Sequence, residues 1–259
     1  MNIEWRSGIG YGDFVTGLGY SRNWAIKTKR EINITFHWNH EKSFLFSKKD
    51  PETIIDRFNY INSILIPNNN VYIDHKFNSN PKFRFINQLD EFNPLHGLNS
   101  SIFDNITKSN KVVIWTTNNN ISFPGTIKDP VNEKWKDIIS LLKEDGYEVV
   151  EVDYRTPIVD VIEHIRTCSF GIGYDGLVHQ LFKFMWKPLI VFCKRFDLVE
   201  LLIPWAYKLK DANEFLFSDY TKYIKISEKL MHDYKNRYKN YLNEYVEIEK
   251  HGLYNTPIY

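Results

Sequence analysis

The chain has 259 residues, of which 43% are hydrophobic and 16% are aromatic. This composition supports a packed core and excludes the class of disordered proteins with low hydrophobicity and high net charge. Thirty-three basic and 32 acidic side chains leave a formal net charge of +1, so the whole chain lacks the basic excess of a typical nucleic-acid-binding protein. The length allows one large domain or two small ones.

Cysteine content and hydropathy indicate the compartment. Cys168 and Cys193 lie in apolar stretches, which predicts buried thiols in a reducing environment rather than a disulfide framework or a zinc site. Residues 1–6 lack the apolar run of a signal peptide, and the most apolar windows are shorter than the ~20 residues of a membrane helix. We therefore expect a cytoplasmic protein without a membrane span, in the host cytoplasm if the gene is phage-borne. The abundance of Asn, Lys and Ile is typical of an AT-rich genome, such as that of a phage or an AT-rich bacterium.

The first part of the chain predicts strands and helices in alternation. Strands are expected at 2–6, 32–38 and 71–74, which are short and rich in β-forming residues. Helices are expected at 13–25 and after Asp50, which precedes a proline in a helix-start signal.

In the second part of the chain, from residue 111 to residue 193, predicted strands and helices alternate more regularly. The expected strands are 111–116, 148–152, 170–173 and 189–193, and the expected helices are 131–145, 158–166 and 177–186. Because parallel strands need crossover helices, this alternation predicts a doubly wound α/β unit. The sequence thus predicts two α/β domains, 1–108 and 109–226, with a cleft in which ligands bind beyond the carboxyl ends of the strands.

A long polar helix is expected from Ser227 to Lys250, followed by a tail to residue 259. Its apolar and tyrosine side chains recur at spacings of three and four, which predicts a stripe packed on the body of the protein. The alternative is a basic, aromatic surface that stacks nucleic-acid bases, for which Lys235, Arg237 and Lys239 are candidates.

The first candidate site is the glycine-rich turn 7–13 after the first strand. Gly10 and Gly12 let the backbone turn tightly and approach a ligand. Asp13 then begins a helix at the mouth of the cleft, where its carboxylate can accept a hydroxyl proton. The alternative role for Asp13 is a helix cap. A nicotinamide-binding turn is disfavoured, because Asp13 stands where that motif has its third glycine.

The second candidate site lies where the strand expected at 170–173 meets a helix through glycines. Free amides at such a helix start favour an anionic ligand, such as a diphosphate. The residues assigned to ligand binding here, which the resemblance described below makes donor-binding residues, are Tyr174, Asp175, Gly176, Leu177 and His179. His179 can bind phosphate or a ribose hydroxyl, and the alternative is a packed histidine whose hydrogen bonds are satisfied within the protein.

The third candidate site is the loop after the strand expected at 111–116. Thr116 and Thr117 lie at the carboxyl end of this strand, and Lys128 follows in the same loop. Hydroxyl groups and an ammonium group in that place can hold phosphate. The alternative is a solvated loop without a ligand.

In series, these segments resemble glycosyltransferases of the GT-B fold, and most of all the ADP-heptose:lipopolysaccharide heptosyltransferase family. Arg6 and the run 10–13 match that family's opening strand, arginine and Gly-x-Gly-Asp turn. The segment 128–135 is similar to its Lys-Arg-Trp-Pro-x-Glu-Arg-Phe segment, and it keeps Lys128 and Glu133 but not the Trp-Pro pair.

The resemblance continues at the second candidate site. Residues 172–179 are similar to the family's Ile-Gly-x-Asp-Ser/Thr-Gly-Pro-x-His motif, although the run is one residue shorter and has no Ser or Thr. Residues 187–192 match the proline and strand that close the motif. The similar segments span most of residues 1–195, and the first domain is shorter than in typical members.

The resemblance implies two Rossmann-like domains facing a cleft, with the C-terminal helix packing back on the first domain. It implies a metal-independent glycosyltransferase in which Asp13 is the general base and Lys128 neutralises the leaving diphosphate. Gly176 and the amides after it would bind that diphosphate, supported by Asp175 and His179. The donor would be a UDP- or ADP-linked sugar, with no further cofactor, and the chain has no Asp-x-Asp pair of the metal-dependent kind.

The acceptor side is assigned to Arg22, His37 and His40. The two histidines are also a conceivable metal pair, with a structural role as the alternative. The acceptor is expected to be a glycan or, for a phage enzyme, a hydroxymethylated base in DNA. DNA would require a local basic groove near Asp13, and binding would then weaken with salt.

Two other functions stay open at the level of sequence. The first is a non-catalytic nucleotide- or sugar-binding module that keeps the fold and has lost turnover. The second is a nicotinamide-dependent oxidoreductase.

Overall fold

The computed structural model describes residues 2–7, 15, 33–38, 70–74, 109–116, 134–153, 155–174, 176–193 and 204–237. By its contacts the chain divides into two compact units. The first unit is Met1–Ser101 with Asn240–Tyr259, and the second is Ile102–Lys239.

The first unit contains a parallel three-stranded sheet in the order β1-β2-β3. Its strands are β1 (Asn2–Ser7), β2 (Asn33–Trp38) and β3 (Asn70–Asp74). The three predicted strands are confirmed, and each differs from its predicted range by one residue at one end. Of the helix expected at 13–25 only Val15 is described, as a buried helical residue, and the helix expected after Asp50 lies outside the described residues.

The second unit alternates strands and helices as predicted. Its elements are β4 (Lys111–Trp115), α1 (Trp135–Glu144), β5 (Glu148–Val152), α2 (Ile158–Thr167), β6 (Phe170–Tyr174), α3 (Leu177–Phe184), β7 (Leu189–Phe192), β8 (Tyr207–Leu209), α4 (Ala212–Leu216) and α5 (Thr221–Arg237). The predicted elements from β4 to β7 are confirmed, with shorter α1 and α3. The sequence analysis missed β8 and α4, and α5 begins at Thr221 instead of the predicted Ser227.

The five strands of this unit are all parallel, in the order β5-β4-β6-β7-β8. The chain runs from β4 to β5, crosses back past β4 to β6, and continues through β7 to β8. The direction therefore reverses between β4 and β6, which is the topological switch point of the sheet. In doubly wound sheets, ligands bind beyond the carboxyl ends of the two strands at this point.

Both faces of the five-stranded sheet are covered by helices. Val112 and Ile114 point to the face that packs on α1 and α4, in one cluster with Ile138 and Phe215. Val113 points to the opposite face and is fully buried. Burial on both faces explains why the central strands are almost continuously apolar, as is usual in parallel sheets.

Helix α3 lies unusually close to the opposite face. A Cβ atom added at Gly171 of β6 would overlap the ring of Phe182, which is 1% exposed. The absence of a side chain at Gly171 therefore lets the α3 ring lie directly on the β6 backbone.

The described part of α5 covers the β7–β8 side of the sheet. The Ser227 hydroxyl accepts a hydrogen bond of 2.9 Å from the Leu189 amide, and the Tyr223 ring stacks on Tyr207 at 4.3 Å. The predicted continuation of the helix to Lys250 and its packing on the first domain fall on residues outside the described ranges. No helix among the described residues combines the length and apolarity needed to cross a bilayer.

Candidate functional site

The carboxyl edge of the sheet at the switch point brings two of the predicted sites together. In the register of β4 and β6, Trp115 pairs with Gly173. Thr116 follows β4 directly, Tyr174 ends β6, and both are half-buried. The loop that leaves β4 and the turn into α3 therefore start from neighbouring positions at one edge.

The backbones of β4 and β6 approach closely at this edge. A Cβ atom at Gly173 would lie 2.8 Å from the Trp115 Cβ and 2.9 Å from the Trp115 carbonyl oxygen. Such distances are well inside van der Waals contact, so only glycine fits at position 173.

The turn between β6 and α3 depends on Gly176. This residue has φ 151° and ψ −155°, a backbone conformation that is essentially restricted to glycine. A Cβ atom there would meet no atom within 4 Å, so the start of α3 is open on that side. Because Gly176 has no side chain to cap the helix, the first amides of α3 are available to an anionic or hydroxyl ligand.

Replacing Gly176 by alanine is expected to destabilise the protein by about 1–2 kcal/mol, because alanine is strained at this φ. It is also expected to weaken any ligand bound at the start of α3. Gly146, with φ 85° and open space around it, is the matched control at the opposite edge of the sheet. Gly146→Ala should cost similar stability in urea unfolding and leave ligand affinity unchanged. Equal loss of affinity in the two variants would contradict this assignment.

His179, in the first turn of α3, is 1% exposed, and neither of its ring nitrogens has a hydrogen-bond partner. Helical side chains lean toward the N-terminus, which directs this ring toward the Gly176 turn. The Gly173 carbonyl lies near enough to raise the pKa of the ring slightly, although no hydrogen bond of ordinary geometry joins them. Burial dominates and lowers the pKa to about 3, so the imidazole is neutral at physiological pH. His179 is therefore packed, but its hydrogen bonds are not satisfied within the described protein.

Trp135 lies on the other face of β6, at the first position of α1. Its ring meets those of Tyr174 and Phe192 edge-on, with centroid distances of 5.7 Å and 5.6 Å. Its side chain is 5% exposed, and its indole N–H is buried without a partner. The sequence analysis included Trp135 only as a residue of the helix expected at 131–145 and of the family-like segment 128–135. Its place at the N-terminus of a helix that follows β4 is the signal that could have marked it.

Two buried lysines follow on and after α3. Lys183 lies one turn beyond His179, is 1% exposed, and has its pKa lowered to about 7 by burial. Lys187 donates a 2.5 Å hydrogen bond to the Cys168 carbonyl, and burial also lowers its pKa. Lys183 was not singled out from the sequence, because a single polar residue in a helix gives no signal of burial, and Lys187 was included only in the segment 187–192 that resembles the close of the family motif.

Comparison with models of known protein families finds no match, and no curated protein or solved structure is significantly similar to the chain. The site is therefore interpreted from its own residues and topology.

The remaining predicted site residues are placed only in part. Leu177 is the half-buried first residue of α3, and His37 lies in β2, paired with Arg6 of β1 and Asp74 of β3. The others lie outside the described residues: Gly10, Gly12, Asp13, Arg22, His40, Thr117, Lys128 and Asp175. Their assignments stay predictions.

Proposed function

We propose that the chain is a nucleotide-sugar-dependent glycosyltransferase of the GT-B type. One observation carries the proposal: the open start of α3, set by Gly176, follows β6 at the switch point beside the end of β4. Ligands of doubly wound sheets bind at this position, and helix amides there can hold the phosphates of a nucleotide. The division of the chain into two units, each with a parallel sheet, is compatible with the two-domain architecture and with a C-terminal helix that returns to the first domain.

The proposed reaction transfers a sugar from a UDP- or ADP-linked donor to an acceptor hydroxyl. Asp13 accepts the hydroxyl proton, the acceptor oxygen bonds to the anomeric carbon, and the bond from that carbon to the diphosphate breaks. The diphosphate leaves with the electron pair. Positive charge grows on the sugar and negative charge on the diphosphate, so fixed amides at Gly176 and the ammonium of Lys128 lower the barrier. Thr116, Thr117 and Asp175 complete the donor side in this proposal.

The acceptor side of the proposed enzyme consists of Arg22, His37 and His40. The proposed acceptor is a glycan or a hydroxymethylated base in phage DNA, and the reaction takes place in the cytoplasm.

The proposal is tested by product formation from a panel of nucleotide sugars, followed by mass spectrometry, with glycans and hydroxymethylated DNA as acceptors. Asp13→Asn should reduce turnover roughly hundredfold or more, because general-base catalysis contributes about 10²–10⁴. Donor affinity should stay within about twofold, because the carboxylate acts on the acceptor. Asp160→Asn, an exposed acidic residue in the first turn of α2, is the control and should keep full activity.

Each outcome has a distinct meaning. Full turnover by Asp13→Asn would refute the general-base assignment. Binding of a nucleotide sugar without transfer to any acceptor would favour the non-catalytic binding module. No binding of any donor would refute the proposal itself.

A further inference from the structure

The carboxyl end of β6 is flanked by buried polar groups without partners on both faces of the sheet. On the α1 face it is the indole N–H of Trp135, packed on Tyr174. On the α3 face they are the two ring nitrogens of His179, beside Gly173. Buried polar groups are nearly always hydrogen-bonded in folded proteins. Unpartnered nitrogens at a switch point, where ligands of such sheets bind, therefore indicate a ligand-binding site.

We propose that Trp135 and His179 bind the hydroxyl groups of an uncharged, sugar-like moiety seated at the carboxyl end of β6. In the proposed function, on which this inference rests, that moiety is the ribose or the transferred sugar of the donor. The diphosphate then lies at the amides that follow Gly176, where the absence of a side chain at residue 176 leaves open space.

The chemistry of the unpartnered groups distinguishes a hydroxyl from a phosphate. A neutral imidazole offers one donor and one acceptor, and the neighbouring Gln180 Oε1 is a second buried acceptor without a partner. Phosphate oxygens only accept hydrogen bonds, so they could pair with the N–H groups of Trp135 and His179 but would leave the imidazole lone pair and the Gln180 Oε1 without a donor. A hydroxyl both donates and accepts, so it can pair with either nitrogen of His179, and two hydroxyls of one sugar-like moiety can pair with both.

The protonation state of His179 supports the same assignment. Burial keeps the ring neutral down to a pKa of about 3, so it brings no positive charge to neutralise a phosphate.

An unpartnered indole N–H elsewhere in the same unit provides the control. The Trp186 N–H is likewise buried without a partner, but its ring stacks on Trp205 at 4.8 Å. Trp186 follows α3 and precedes β7, so it lies at the amino edge of the sheet, away from the switch point.

The experiment compares the wild type with His179→Leu, Trp135→Phe and Trp186→Phe in the full chain. Isothermal titration is performed with UDP-glucose, ADP-glucose and inorganic pyrophosphate, which has no hydroxyl-bearing sugar. The affinity for the nucleotide sugar should fall about tenfold for His179→Leu and for Trp135→Phe, because each loses a buried hydrogen bond. The affinity for pyrophosphate should stay within about twofold, and Trp186→Phe should change neither value.

Thermal unfolding of the ligand-free variants distinguishes a folding defect from a binding defect. The Tm of His179→Leu should equal or exceed that of the wild type, because an apolar side chain replaces a buried polar group that has no partner. The affinity loss should also be the same at pH 5.5 and pH 8, since the ring stays neutral over this range. A clearly lower Tm would mean that His179 has a structural partner, and would overturn its assignment as a ligand-binding residue.

The remaining outcomes separate this inference from the proposed function. If His179→Leu loses as much affinity for pyrophosphate as for the nucleotide sugar, His179 is a phosphate ligand and the inference is overturned. The inference is also overturned if His179→Leu and Trp135→Phe both keep the wild-type affinity for nucleotide sugars. In either case the proposed function would stand. If the wild type binds free glucose or ribose in NMR titrations, with a loss in His179→Leu, but binds no nucleotide sugar, the inference stands and the proposed function fails. Binding of neither class would overturn both.

Discussion

The stability of Lys183→Met relative to the wild type is expected to fall as the pH rises from 7 to 10. Burial lowers the pKa of Lys183 from 10.5 to about 7. Between these values the unfolded chain binds a proton that the folded chain does not, so the free energy of unfolding of the wild type falls as the pH falls from 10.5 to 7. The slope is about 1.4 kcal/mol per pH unit, or roughly 5 kcal/mol over the whole window. Methionine fills similar space without a titrating group and loses none of this stability.

The measurement is urea unfolding of the wild type and of Lys183→Met at intervals from pH 7 to pH 10. The quantity compared is the difference between their free energies of unfolding at each pH. Lys187→Met provides a comparison at a second buried lysine, whose ammonium donates to the Cys168 carbonyl. That variant loses a buried hydrogen bond and should be less stable than the wild type at pH 7. A difference between Lys183→Met and the wild type that does not change with pH would contradict the lowered pKa of Lys183.

Gly171→Ala is expected to reduce the free energy of unfolding by about 3 kcal/mol, at the upper end of the cost of overpacking. The new methyl group would overlap the ring of Phe182, which is buried between α3 and β6 and has little room to move. Either the ring must leave its rotamer or α3 must move away from the sheet. Urea unfolding of the wild type and the variant measures the cost.

The double variant Gly171→Ala with Phe182→Leu tests the cause of that cost. Removing the ring should recover part of the lost stability, which gives a favourable coupling energy between the two positions. If Phe182→Leu merely adds its own destabilisation, the overlap is not the source of the effect.

The order of elements in the second unit was predictable because its central strands, β4, β6 and β7, are buried on both faces. Runs such as 112–115 and 189–192 are apolar throughout, and the helices between them have clear apolar faces. The strand order was not predictable, because alternation implies parallel pairing without saying which strands are neighbours. The three-residue strand β8 is shorter than the runs on which strand prediction depends, and the apolar residues before it gave no helical or alternating period.

The candidate site was predictable in position and less so in chemistry. Ligands of doubly wound sheets bind beyond the carboxyl ends of the strands, and this general property led to Thr116 and Gly176. The sheet topology places both residues at one switch point. The burial of His179, Lys183 and Trp135 was not predictable, because α3 is buried on nearly all sides and local sequence does not reveal what lies against a helix. The roles of Asp13 and Lys128 remain predictions.

The two cysteines lie at opposite ends of the parallel strands. Cys168 precedes β6 at the amino edge, and burial raises the pKa of its thiol to about 12, so almost none of it is thiolate at neutral pH. Cys193 follows β7 at the carboxyl edge, the edge of the candidate site, and is also buried. Alkylating reagents attack thiolates, so labelling of either cysteine requires the sheet to open locally at that end. The chain thus carries two natural chemical probes that can report separately on local opening at the edge of the candidate site and at the edge opposite it.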